Sequence, residues 1–114
     1  MNVLKFGGTS VGTVESLKNV RSIVEALPSD TVVVVSALGG LTDKLIATAR
    51  LAAEGGDWIP ETDAIANRHY VIIEELVRPE CKSRTLSVVD LLLSELRRTY
   101  EGVSLIRDLP SKTL

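Results

Sequence analysis

Two short apolar runs each end in a pair of glycines, and no other feature restricts the possible folds of this chain as much. Val3, Leu4 and Phe6 stop at Gly7-Gly8, and Thr31-Val32-Val33-Val34-Val35 passes through Ser36-Ala37-Leu38 to Gly39-Gly40. A β-branched run without polar alternation fits a parallel strand covered by helices on both faces. Between the runs, Val14, Leu17, Val20, Ile23, Val24 and Leu27 recur at helical spacing. Thr13 offers an N-cap, and Pro28-Ser29-Asp30 supplies a turn. The chain up to Ser36 therefore reads strand, glycine turn, helix, strand. That is a βαβ unit, expected to cross over right-handedly.

Beyond Gly39-Gly40 the pattern is helical. Leu41, Leu45, Thr48/Ala49 and Ala52 mark a helix ending at Gly55-Gly56. Ile65, His69, Ile72 and Leu76 mark a second, expected to stop at Pro79. Leu86, Val89, Leu93, Leu96 and Tyr100 mark a third, with Gly102 as its expected stop. Leu109 to Leu114 reads as a linker leading to a helix N-cap. Two strands make a poor sheet for so many amphipathic helices, so the chain reads as the N-terminal part of a larger α/β domain.

Composition removes several function classes. Among 114 residues, 13 Lys+Arg oppose 15 Asp+Glu, a net charge of −2. No cationic excess exists to drive binding to nucleic acid or an anionic membrane. The single Cys, Cys81, cannot form an internal disulfide, and no Cys/His group has metal-ligand spacing, so no metal site is expected. Neither a signal peptide nor a membrane span is legible, and a cytoplasmic location is expected.

The glycine turns carry the chemistry. Lys5-Phe6-Gly7-Gly8-Thr9-Ser10-Val11-Gly12 lies at the carboxyl end of a strand and ahead of a helix, the end at which open α/β folds bind ligands. Glycines let backbone N–H groups approach an anion, Lys5 is a compact cation, and Thr9 and Ser10 add hydroxyls. The spacing matches neither a Walker A loop, where the lysine follows the glycines, nor a dinucleotide-binding fingerprint. A tight strand-to-helix connection, with glycines serving only close packing, fits the same residues. The second turn, Ser36 to Asp43, repeats the setting, and the two turns would face one crevice. Ser36 and Thr42 could donate to a carboxylate or phosphate, and Thr42-Asp43 is also what a helix N-cap looks like.

With these residues in view, a family resemblance follows. Lys5 to Val11, KFGGTSV, closely resembles the N-terminal signature of aspartokinases in the amino acid kinase superfamily. Ser36 to Asp43, SALGGLTD, is similar to the family's second segment, where a Ser and a Thr-Asn or Thr-Asp pair sit at this spacing. The helical stretch to Tyr100 and the closing GVSLIRDLPSKTL are most similar to bifunctional aspartokinase–homoserine dehydrogenases.

The resemblance implies an α/β fold, the N-terminal part of an amino acid kinase (carbamate kinase-like) fold, with a parallel βαβ unit followed by several helices. It implies phosphoryl transfer from MgATP to the side-chain carboxylate of L-aspartate, the first step towards lysine, threonine and methionine. Lys5 would act catalytically on the transferring phosphoryl group. Lys5, Gly7, Gly8, Thr9 and Ser10 would bind ATP phosphates, and Ser36 and Thr42 would hold aspartate. The cofactors implied are ATP and Mg²⁺. A homo-oligomer and a fused homoserine dehydrogenase are the implied partners.

The family pattern continues into a Gly-Glu pair and an R-G-G-S-D-type segment that these residues do not include. Residues 1–114 are therefore expected to form a truncated part of the catalytic domain, inactive alone. Val32 to Val35 and the third helix are expected to expose apolar faces and favour self-association. A different class, a non-catalytic binding or regulatory module keeping the phosphate-binding turn, leaves the cation at Lys5 without a purpose. His69 is expected as a packing histidine, Cys81 as an unspecialised loop thiol, Trp58 as a loop anchor and Arg97-Arg98 as a solvated face. Glu74-Glu75, adjacent on a helix, diverge and make no metal pair.

Overall fold

The computed structural model describes residues 2–108. The chain divides into two compact units, Met1–Thr42 and Asp43–Leu114.

The first unit is the βαβ element. Strand β1 (Asn2–Phe6) leads through a single 3-10 turn (Gly8–Val11) into α1 (Val14–Glu25) and then β2 (Thr31–Val35). The strands pair in parallel, with Asn2 opposite Thr31, Lys5 opposite Val34 and Phe6 opposite Val35. The helix starts where its sequence says it should. Thr13 Oγ1 accepts from the Ser16 N–H at 3.1 Å, and the Thr13 N–H donates to Ser16 Oγ at 3.1 Å, closing a reciprocal capping box. A cap of this kind is worth about 1 kcal/mol. Val11, Val20 and Leu41 are buried. Among the described residues the sheet has two strands, so each is an edge. Val3, Val32, Val34 and Val35 accordingly remain 43–65% exposed, short of the two-sided cover that the run of valines suits.

The second unit is helical: most of α2 (Leu41–Ala53), then α3 (Ile59–Leu76) and α4 (Pro79–Asp108). Its buried set is Thr48, Ala52, Thr62, Ile65, Ala66, Ile73, Leu93 and Tyr100. Each apolar side chain fully buried there contributes roughly 1.5–3 kcal/mol relative to exposure. The two buried hydroxyls are satisfied locally: Thr48 donates to the Lys44 carbonyl at 2.8 Å and Thr62 to the Trp58 carbonyl at 2.9 Å. Ion pairs cross the helices on the surface, Lys44 with Glu61, Arg97 with Asp63 and Lys82 with Glu74. Exposed pairs of this kind each add at most about 1 kcal/mol.

The helices depart from the sequence reading in four places. Pro79 does not stop α3, which ends at Leu76; it opens α4, where a missing N–H costs nothing. Cys81 therefore lies in the first turn of α4 and not in a loop, half-buried, with its N–H donating to the Arg78 carbonyl at 2.9 Å. Gly102 does not end the helix, which continues to Asp108. A C-terminal glycine cap needs positive φ, and the glycines adopting it are Gly8, Gly40 and Gly55. One mid-helix glycine costs only about 1 kcal/mol, too little to break a helix docked through Leu93 and Tyr100. Arg97 is no purely solvated side chain, because it pairs with Asp63 at 2.9 Å. Trp58 does anchor: it directly precedes α3, and its ring lies 6.0 Å from that of Tyr100, tilted by 57°. His69 packs as expected, half-buried, with Nδ1 2.7 Å from the Ile65 carbonyl. The expected linker at Leu109 to Leu114 lies outside the described residues.

Candidate functional site

Parallel pairing puts both glycine turns at the same end of the sheet, and the site is built in that one unit. Phe6 and Val35 are the last paired residues of the two strands. The ladder extends one step further, with the Ser36 N–H donating to the Phe6 carbonyl at 3.0 Å. Lys5 sits one residue before the strand end, exposed, with no ion-pair or side-chain hydrogen-bond partner among the described residues. Desolvating an ammonium without a counter-charge is costly, and Lys5, exposed to water, avoids that cost.

The first turn folds by its own hydrogen bonds. The Ser10 N–H donates to the Gly7 carbonyl at 3.2 Å and the Gly12 N–H to the Thr9 carbonyl at 3.3 Å. Gly7 is extended, at φ −159° and ψ −179°, whereas Gly8 adopts φ +58°, which L side chains rarely do. A Cβ at Gly8 would meet nothing within 4 Å. The main chain there is open to an approaching ligand. Thr9 is exposed and Ser10 half-buried. The amide of Ser16 at the start of α1 is occupied by its cap.

The second turn lies against the first. A Cβ at Gly7 would sit 3.4 Å from Ser36 Oγ, which places the Ser36 hydroxyl over the first turn. That hydroxyl donates to the Ala37 carbonyl at 3.0 Å and keeps its lone pairs. The Gly39 N–H donates to the Val11 carbonyl at 3.2 Å. Gly40, at φ +76°, precedes α2. Thr42 is the second residue of α2, one place too late to be its N-cap. It is exposed, and its hydroxyl has no hydrogen bond among the described residues. The capping alternative for Thr42 does not hold, and the free hydroxyl remains.

The structure thus brings Lys5, Gly7, Gly8, Thr9, Ser10 and Ser36 to one end of the sheet, with Thr42 in the first turn of α2. Sequence reasoning placed Val11 in the first turn without a role; its carbonyl, accepting from the Gly39 N–H, ties the second turn to the first. Among the described residues no group of three or more His, Cys, Asp or Glu could hold a metal ion. No described helix is long and apolar enough to cross a membrane.

The chain matches the amino acid kinase family over residues 1–112. It is 30% identical over 117 residues to aspartokinase 1, chloroplastic, of Arabidopsis thaliana, covering 97% of this chain and 19% of that protein. It is 35% identical over 104 residues to bifunctional aspartokinase/homoserine dehydrogenase 1, chloroplastic, of Zea mays, covering 90% of this chain and 11% of the relative. Lysine-sensitive aspartokinase 3 of Escherichia coli is 30% identical over 106 residues, covering 93% of this chain and 21% of that enzyme. The chain spans 11–21% of the length of these curated relatives.

Proposed function

The chain belongs to the amino acid kinase family, and from that premise we propose that it is the phosphate-facing part of an aspartate kinase. The reaction would transfer a phosphoryl group from MgATP to the side-chain carboxylate of L-aspartate, giving 4-phospho-L-aspartate. One observation carries the reading: Lys5, a cation with no ion-pair partner among the described residues, stands beside two interlocked glycine turns at the carboxyl end of paired parallel strands. The aspartokinase relatives support it from the other side.

Phosphoryl transfer asks little covalent work of a protein; it asks for positioning and for charge placed where negative charge develops. The open main chain at Gly8 fits the phosphates of ATP, because an oxygen can reach the backbone where a Cβ would otherwise stand. ATP supplies the phosphoryl group. Lys5 holds negative charge on it, the amides of Gly7 and Gly8 donate to its oxygens, and Thr9 and Ser10 line the turn. Ser36 and Thr42 donate to aspartate. Its side-chain carboxylate is ionised at neutral pH, so the acceptor needs no strong general base. The described residues offer no cluster for Mg²⁺, and no step is assigned to it.

The proposal extends to a homo-oligomer, supported by exposed Val88, Leu91, Leu92, Leu105 and Ile106 on α4. It also extends to a homoserine dehydrogenase on the same polypeptide, supported by the likeness to the maize protein, and to a cytoplasmic location. The test is aspartate-dependent ADP release by the full-length protein that carries this sequence. Lys5→Ala should lower turnover by roughly 10²-fold or more, as removal of a single transition-state donor does. Wild-type turnover in that variant overturns the assignment of Lys5, and absence of aspartate-dependent release from the unmodified protein overturns the kinase reading.

A further inference from the structure

We propose that Gly39 is a positioning residue, whose missing side chain lets the second glycine turn seat directly on the backbone of the first. The role in turnover rests on the kinase reading above; the packing itself does not. A Cβ at Gly39 would lie 3.1 Å from the Gly12 Cα, 3.5 Å from the Gly8 carbonyl oxygen and 3.8 Å from the Gly12 nitrogen. All three are main-chain atoms. A flexible side chain could swing aside, but backbone can yield only by moving the turn itself. The Gly39 N–H, bonded to the Val11 carbonyl at 3.2 Å, fixes the same contact in a second direction.

The displaced atoms matter because of what they carry. Gly8 is the residue at φ +58°, and its carbonyl belongs to the peptide unit whose N–H is that of Thr9. Pressing on that carbonyl tilts the peptide joining Gly8 to Thr9, two residues placed against the phosphates, and moves Ser36, three residues before Gly39, relative to the first turn. Catalysis by positioning is sensitive to this, since an error of about 1 Å can cost roughly 10²-fold in rate. A shift of a few tenths of an ångström is then expected to lower kcat by about five- to twenty-fold.

Two neighbouring glycines separate positioning from general damage. A Cβ at Gly12 would have its nearest neighbour, the Thr9 carbonyl oxygen, at 3.5 Å, ordinary contact, on a backbone at φ −90° and ψ −30°. A Cβ at Gly40 would meet nothing within 4 Å but would be strained by φ +76°. Gly40→Ala thus loads the same turn without pressing on Gly12.

The experiment compares Gly39→Ala, Gly12→Ala and Gly40→Ala in the full-length protein by kcat, KM for ATP and aspartate, thermal midpoint and amide hydrogen exchange. Gly39→Ala should fold, lose about five- to twenty-fold in kcat, and exchange the residue-39 amide faster as its bond to Val11 opens. Gly12→Ala should stay within twofold of wild-type kcat, and Gly40→Ala should lower the midpoint with kcat retained. Wild-type kcat in Gly39→Ala, or equal kcat losses in Gly39→Ala and Gly40→Ala, overturns the proposal. So does an unfolded Gly39→Ala, because a positioning role requires the fold to persist. If the unmodified protein shows no aspartate-dependent turnover, the kinase reading fails instead. Amide exchange at position 39 then decides the packing alone: faster exchange in Gly39→Ala supports it, and unchanged exchange overturns it.

Discussion

Tyr100 reaches back 55 positions to hold Leu45: its phenol donates to the Leu45 carbonyl at 2.9 Å, tying α4 to α2. The ring is 2% exposed and packs near Trp58. One side chain thus joins an aromatic contact to a polar one in the second unit. Tyr100→Phe keeps the ring and removes the hydroxyl, so it should cost about 1 kcal/mol, the net worth of one hydrogen bond. Tyr100→Ala should cost roughly 3–5 kcal/mol, the range for truncating a buried aromatic. Denaturant unfolding of both variants checks the ratio.

The same residue sets an alkaline limit. Burial raises the Tyr100 phenol above its ordinary value of 10.0. Tyr70 is raised as well, first by its hydrogen bond to Asp90 and then by desolvation and the Asp90 charge. A raised folded-state pKa contributes stability that is full below the unfolded value and is lost as pH rises through the folded one. The thermal midpoint should therefore be unaffected by these groups between pH 7 and about 9 and fall above about 10. Tyr100→Phe should flatten that fall; an unchanged alkaline profile in the variant would contradict the assignment.

Gly102 should be replaceable with profit. It lies inside α4, its φ is not positive, and a Cβ there would meet nothing within 4 Å. Gly102→Ala should stabilise by about 0.5–1 kcal/mol through lower unfolded-state entropy and better helix propensity. A lower thermal midpoint in this variant would mean that α4 does end near Tyr100.

Thr42 should separate binding from folding. Its hydroxyl is exposed and has no hydrogen bond among the described residues, so Thr42→Ala should leave the thermal midpoint unchanged. If it holds aspartate, the variant should raise the KM for aspartate roughly two- to tenfold, the equivalent of one hydrogen bond, more than the KM for ATP. Steady-state kinetics with each substrate varied in turn distinguishes the two.

Much of this protein was legible in local pattern. The valine run from Val32 to Val35, the glycine pairs and the Thr13 cap each act within a few residues, and their elements formed where the spacing put them. The stripe Leu86, Val89, Leu93, Leu96 and Tyr100 likewise turns inward on α4, because helical periodicity fixes which side chains share a face. Lys5 and the first glycine turn could be picked out as a candidate site before any geometry, since a cation beside glycines has few purely structural uses. What local pattern could not determine was decided by atoms distant in sequence. Gly102 and Pro79 carry stop signals worth at most a few kcal/mol, and packing of α4 through Leu93 and Tyr100 overrode the first while the helix began at the second. Likewise, the seating of Gly39 on Gly12, 27 residues apart, follows from parallel strand pairing and not from either glycine's neighbours. Spacing along a chain specifies which face a residue occupies, but a contact between two turns exists only once hydrogen bonding has set the register of the strands that carry them.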